Sequence, residues 1–285
     1  AALGSGALTI TGGAMSSDST TARLLANAYS IGGTVTLGDV TNSGTLTMNG
    51  GGTVSSNTTL TVESALTVGG TVNLQGNTLT ITANAATVLS GIVSGAGGLV
   101  KGGTGALTLS GANSFAGGTV LNGGTVSVGH STAFGTGTVT INTGVTVASD
   151  SAVAKTFSNV YSTSGAVTLG NATNNGALTF SGTGTLSAAT TITTDSAVVL
   201  AGNLGGAYAL TKAGSSSLTL GGANSFTGGV TVQGGTLRVG SDTALGVGDL
   251  FLNTGNVTVS SDSASARVIG NAFNISQNIT IGDSS

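Results

Sequence analysis

The sequence predicts an all-β fold: a right-handed parallel β-helix, or β-solenoid, with about 20 residues per coil. Three observations carry that prediction. Residues 99–129 read LVKGGTGALTLSGANSFAGGTVLNGGTVSVG and return at 210–240 as LTKAGSSSLTLGGANSFTGGVTVQGGTLRVG, offset by 111 residues with no insertion. Each copy is made of short runs with period-2 alternation, separated by Gly, Asn and Ser, the pattern of short strands joined by tight turns. A longer phase also repeats: Asp18-Ser19 to Asn27, Asp150-Ser151 to Asn159 and Asp262-Ser263 to Asn271 align, and each is preceded by an Ala-Leu/Phe-Gly step at Leu3-Gly4, Phe134-Gly135 and Leu245-Gly246. The spacing is 112 residues from Asp150 to Asp262 but 132 from Asp18 to Asp150, so the first unit carries an excess of 20, centred on Ser64 to Asn84. A solenoid tolerates such an insertion when it adds one whole coil, because the neighbours still stack.

Taken in order, the elements agree with this reading. Thr9-Ile10-Thr11, Thr34-Val35-Thr36-Leu37, Thr45-Leu46-Thr47, Thr78-Leu79-Thr80, Ala106 to Leu109, Thr119 to Leu121, Thr125 to Val128 and Thr138 to Thr140 are each strands of three or four residues. Apolar Leu, Val and Ile point inward, and β-branched Thr faces outward. Gly-Gly, Asn-Gly and Ser-Gly pairs mark corners where φ is positive. Ser19 to Ile31 could form a short amphipathic helix, but the aligned stretch Ser263 to Ile275 carries Val268, Ile269, Phe273 and Ile275, so strand and loop is the better reading. An antiparallel sandwich or β-prism is the alternative architecture; it requires hairpins and one closed core, which strands this short do not favour. The chain reads as one continuous solenoid segment, 1–285, of a longer repeat protein, with long units at roughly 1–130, 131–240 and a partial 241–285. At about 4.8 Å per coil, some 14 coils would make a rod of about 65 Å.

Composition narrows the function. The chain of 285 residues has 51 Gly but no Pro and no Gly-X-Y period, which excludes collagen. Charged residues are 5% and hydrophobic ones 39%, the reverse of a disordered chain. Six Lys and Arg, scattered singly in a chain of net charge −3, form no stripe for nucleic acid. No Cys is present, so disulfides and thiolate metal sites are excluded. No stretch has the form of a signal peptide or an apolar span, and seven Phe with three Tyr do not supply the girdles of a membrane barrel.

The polar residues read as structural, and no catalytic, cofactor-binding or metal-binding residue is expected. His130, the lone His, follows Gly129 at a corner and has Ser241 at its equivalent. It reads as a solvated loop residue, without the oriented acid and nucleophile of a triad. Asp18, Asp150 and Asp262 are each followed by Ser and, five residues on, by Arg23, Lys155 and Arg267. A turn carboxylate paired with the base explains them; Ca²⁺ ligation would call for the repeat GGxGxDxUx, which is missing. Asp242 and Asp249 are the nearest approach to the clustered acids of a polysaccharide-active β-helix, yet their equivalents are Ser131 and Thr138. Phe115 and Phe226, beside Asn113 and Asn224, suggest a capped turn with a packed aromatic. Thr-x-Thr triplets starting at Thr9, Thr34, Thr45, Thr59, Thr78 and Thr138 invite an ice- or glycan-binding array, but their uneven spacing suggests ordinary outward Thr. Gly102-Gly103-Thr104-Gly105 precedes no helix, so phosphate binding is not expected.

Residues 99–129 and 210–240 resemble the autotransporter passenger-associated repeat. Its pattern runs L-x-K-x-G-x-G-x-L-T-L-S-G-x-N-x-[FY]-x-G-G, ending in G-T-L-x-V-G; Lys101 and Lys212, Asn113 and Asn224, and Phe115 and Phe226 fall on its marked positions. The resemblance implies an extended β-helix of a secreted bacterial surface protein, and it specifies no activity. The expected function is therefore a non-enzymatic, extracellular structural or adhesive element at the bacterial surface, touching host or surface glycans and proteins. Two alternatives stand beside it: a self-assembling filament, in which copies join end to end through unpaired coil edges, and a polysaccharide-active enzyme.

Overall fold

The structure, a computed structural model, describes residues 3–282. Ala2 and Asp283, which bound the aligned repeats in the sequence, lie outside the described residues. All regular structure among the described residues is β-strand, and no helix is long and apolar enough to cross a membrane. The chain divides into two compact units, Ala1–Val139 and Thr140–Ser285.

In the first unit, three parallel ladders form the three faces of a coil. One face stacks Leu8–Ile10 on Tyr29, Gly52, Val72 and Val93 in successive coils. A second runs from Gly13–Met15 through Val35, Leu60, Leu79–Ala83 and Leu99–Gly102 to Thr119–Leu121. The third runs Arg23–Leu25, Leu46–Met48, Leu66–Val68, Thr87–Leu89, Leu107–Leu109 and Gly124–Val128. Leu46 pairs with Leu66, twenty residues on, and Leu107 with Val126, nineteen on, so the coil length agrees with the sequence period.

The second unit repeats this plan. Its longest ladders run from Lys155–Phe157 through Leu178–Phe180, Val198–Leu200, Ser217–Leu220, Thr236–Val239 and Thr258–Ser261 to Thr280–Ile281, and from Val145–Ser149 to Phe273–Ile275. All of these pairings are parallel, which rules out the antiparallel sandwich. Between the aligned Arg23 and the end of the first sequence repeat the third face has six strands; between Lys155 and the end of the second repeat it has five. The extra coil is Leu66–Val68, Val72–Asn73 and Leu79–Ala83. The 20-residue excess is thus one full winding, as its length requires. Ser19 to Ile31 is strand and loop, with strands at Arg23–Leu25 and from Tyr29; the aligned 263–275 forms a strand only at Phe273–Ile275.

The core is a narrow column of inward Leu, Val, Ile and Phe. Val35, Ile81, Leu107, Phe115, Leu218 and Phe226 are fully or almost fully buried. Each such side chain contributes about 1.5–3 kcal/mol of hydrophobic stabilisation. In the second unit Phe180 packs against Phe157 and Tyr161, with ring centroids 5.3 and 5.2 Å apart. At the corner after the third face the backbones approach so closely that only Gly fits. A Cβ on Gly70 would lie 2.0 Å from the Gly50 carbonyl oxygen, and one on Gly91 2.0 Å from that of Gly70.

Candidate functional site

The polar residues of the two sequence repeats are turned into the coil. Lys101 and Lys212 are fully buried. Lys101 extends along the inward side of its strand to a corner made by Gly103, whose φ of 74° needs a glycine. There its Nζ donates to the carbonyls of Gly102 at 2.7 Å, Gly103 at 3.0 Å and Gly123 at 3.2 Å. Gly123 belongs to the next coil, so one ammonium holds two coils together. Lys212 does the same with Ala213, Gly214 and Gly234 at 2.7, 2.9 and 3.0 Å. An ammonium has three donors, and three carbonyls satisfy it without a carboxylate. Burial lowers the pKa of both amines and takes that of Lys212 to about 8, with the charge of Asp195 pulling it back up. Sequence reasoning placed these lysines on the repeat but not in the core. Their signal was a cation at the inward phase of a strand, followed by Gly or Ala-Gly, twice.

Asn113 is buried and ties three coils together. Its Oδ1 accepts the Val93 amide at 2.8 Å and its Nδ2 donates to the Ala133 carbonyl at 2.7 Å, each 20 residues away. Asn224 repeats this with the Leu204 amide at 2.7 Å and the Ala244 carbonyl at 2.6 Å. These side chains do not bond within their own turn, as the Asx-turn reading supposes; they bridge the coil before and the coil after, where the strand ladder of that face is interrupted. Phe115 and Phe226 are fully buried, each against the glycine of the next coil: a Cβ on Gly135 would lie 2.9 Å from the Phe115 ring, and one on Gly246 3.0 Å from the Phe226 ring.

The recurring acid–base pairs form as expected. Asp18 pairs with Arg23, Asp150 with Lys155 at 3.8 Å and Asp262 with Arg267 at 2.9 Å. The hydrogen bond and charge of Arg23 hold the Asp18 carboxyl below the usual carboxylate range, and Arg267 does so for Asp262. The neighbouring serines pin the loops: Ser149 donates to the Val153 carbonyl at 2.9 Å and Ser261 to that of Ser265 at 3.0 Å.

His130 is exposed and serves its own turn, its Nδ1 accepting the Thr132 amide at 3.1 Å. Asp242 uses a carboxylate oxygen to accept the Val268 amide at 3.0 Å, a loop contact. Among the described residues no group of three His, Cys, Asp or Glu could hold a metal ion. The Thr triplets, by contrast, are better ordered than their spacing suggests. Thr34, Thr59 and Thr80 stack in register, as do Thr36, Thr61 and Thr82. A bulge between Ile31 and Gly33 absorbs the uneven spacing. Uneven numbering is therefore no argument against an array, although three coils make a small one.

The family model of the passenger-associated-transport-repeat matches residues 99–128 and 210–239, the stretches that hold both lysine cages and both asparagine bridges. The adhesin BmaC autotransporter of Brucella suis biovar 1 (strain 1330) is 38% identical over 78 residues, which is 27% of this chain and 2% of that protein. No solved structure matches. Residues 99–128 and 210–239 are two passenger-associated-transport repeats, set in a parallel β-solenoid.

Proposed function

We propose that this chain is a non-enzymatic structural and adhesive segment of a passenger displayed outside a bacterial cell. The observation that carries the reading is where the repeat spends its polar residues. Lys101, Lys212, Asn113 and Asn224 are buried and bonded to backbone, so the repeat's chemistry holds coils together, and contacts fall to the outward Thr and Ser of the faces and to the loops. The named relative is an adhesin, and adhesion is extended to this chain as part of the proposal. The paired acids support a non-enzymatic role, because Asp18, Asp150 and Asp262 are each neutralised by a base of their own loop.

The test is to raise antibodies against the chain, label intact bacteria of the source strain, and compare adherence of those cells to immobilised glycans and host matrix proteins with and without a deletion of this segment. Surface labelling with reduced adherence supports the proposal. Label that appears only after cells are broken open refutes display. Display with unchanged adherence on every surface refutes the adhesive part and leaves the chain a spacer.

A further inference from the structure

The bulge between Ile31 and Gly33 has a counterpart between Thr163 and Gly165, and each sets threonines in columns on the outside of one face. In the first unit Thr34, Thr59 and Thr80 form one column, and Thr36, Thr61 and Thr82 form the next. In the second unit Thr191, Thr211 and Thr231 stack, and Thr168 stacks on Thr193 beside them. These side chains are exposed or half-exposed, whereas the residues between them, such as Val35, Leu60, Ile81 and Ile192, are buried. None of the column hydroxyls is hydrogen-bonded to the chain. Thr58 and Thr190, one residue before Thr59 and Thr191, differ: theirs donate to the Ser56 and Ala188 carbonyls, each at 2.9 Å. No charged side chain points outward among the columns, because Lys212, next to Thr211, is turned into the core. The first unit's columns continue into Val100 and Gly102, and the longer one of the second unit into Phe251.

We propose that these threonine plates bind ice. Neighbouring strands lie about 4.8 Å apart and alternate residues of one strand about 6.6 Å apart. Those spacings are close to the repeats of water oxygens on a prism face of ice. A hydroxyl both donates and accepts, as every lattice water must. β-Branching restricts each Thr at χ1, so the plate keeps its spacing without a partner. The charge of the plate points the same way: an uncharged, flat, periodic surface complements an uncharged, flat, periodic partner. A soluble sugar or peptide is held in a concave site instead, and an anionic surface is drawn by cations, which the columns lack. The inference goes beyond adhesion and does not depend on where the chain is displayed.

The test is to grow ice slowly through a dilute solution of the chain together with a reference protein of similar mass that ice excludes. The chain should be enriched in the ice several-fold over the reference. Thr59→Tyr combined with Thr211→Tyr sets a ring in the middle of the longest column of each unit and should bring the enrichment down to the reference level. Both side chains point to solvent and Tyr suits a strand, so the thermal melt of this variant should be unchanged. Should its melt fall, Thr59→Val with Thr211→Val, which removes only the hydroxyls, takes its place and should still lower the enrichment. Thr108→Tyr, on the third face, should leave enrichment as it is. Exclusion of the unaltered chain from ice overturns the proposal. So does enrichment that survives the substitutions in a folded chain, or an equal loss in Thr108→Tyr. Retention by microcrystalline cellulose or chitin with no enrichment in ice overturns it in favour of a crystalline glycan.

Discussion

Replacing Asn113 by Ala removes both ends of a bridge between the coil before it and the coil after it. Two backbone groups then lose their partners: the Val93 amide, now bonded at 2.8 Å, and the Ala133 carbonyl, now bonded at 2.7 Å. Both bonds are buried, so water does not replace them. A buried donor or acceptor left unsatisfied costs about 1–3 kcal/mol. With two stranded groups the expected loss is about 2–6 kcal/mol. Asn84→Ala is the control, because Asn84 is exposed and its side-chain amide donates to Glu63 at 2.8 Å. Urea unfolding measures the loss, and amide exchange localises it. Val93 should lose protection first, while the amide of Leu46, in a coil beyond the bridge, stays protected. Asn113→Asp separates the two ends: it keeps an acceptor for Val93 but cannot donate to Ala133 while ionised, so its deficit should shrink on acidification as the carboxyl regains a proton. If Asn113→Ala is no more costly than Asn84→Ala, or if Val93 keeps its protection, the bridge is not what joins these coils and the reasoning fails.

The buried amine of Lys212 gives a pH signature. Its folded pKa of about 8 lies below the unfolded value of 10.5, so between those values the unfolded chain binds more protons and stability rises with pH. Burial of Tyr29, raised from 10.0 to about 12, and of Tyr161, also raised, opposes this above pH 10, where unfolded tyrosines ionise first. The urea midpoint should therefore climb from pH 8 towards 10 and then level or fall, and Lys212→Met should flatten the climb. Gly70→Ala puts a Cβ 2.0 Å from the Gly50 carbonyl oxygen and should lower stability by about 1–3 kcal/mol in a thermal melt, whereas Gly76→Ala, with nothing within 4 Å, should change it little. Tyr161→Phe deletes a buried hydroxyl that has no hydrogen-bond partner and should leave the melting temperature unchanged or raise it; a clear fall would show that the hydroxyl is satisfied.

Coil length, strand positions and the additional winding were legible in the sequence because each leaves a local mark. A three-residue strand alternates in place, a corner needs its Gly beside it, and a whole-coil insertion preserves the phase on both sides. The acid–base pairs were legible for the same reason, Asp262 and Arg267 being only five residues apart. The asparagine bridges were not. Asn113 bonds partners 20 residues away in both directions, and an Asn beside Gly and Ser is locally indistinguishable from one that caps its own turn. The burial of Lys101 was hidden by its charge, which in most settings keeps a lysine in water; its three carbonyl partners come from corners that exist only once the coils are wound. The stacking of the Thr columns was not visible from numbering alone, because the bulge between Ile31 and Gly33 realigns residues that are 25 apart.

The additional winding at Leu66 to Ala83 bears on how such a chain changes over generations. Gain or loss of one complete turn leaves every remaining edge with a neighbour of the same register, whereas gain of half a turn would set strands over corners. Lineages carrying this sequence should therefore differ in length by quanta of one turn, with smaller differences restricted to the bends. Recombination between near-identical repeats supplies such steps without any new packing having to be invented.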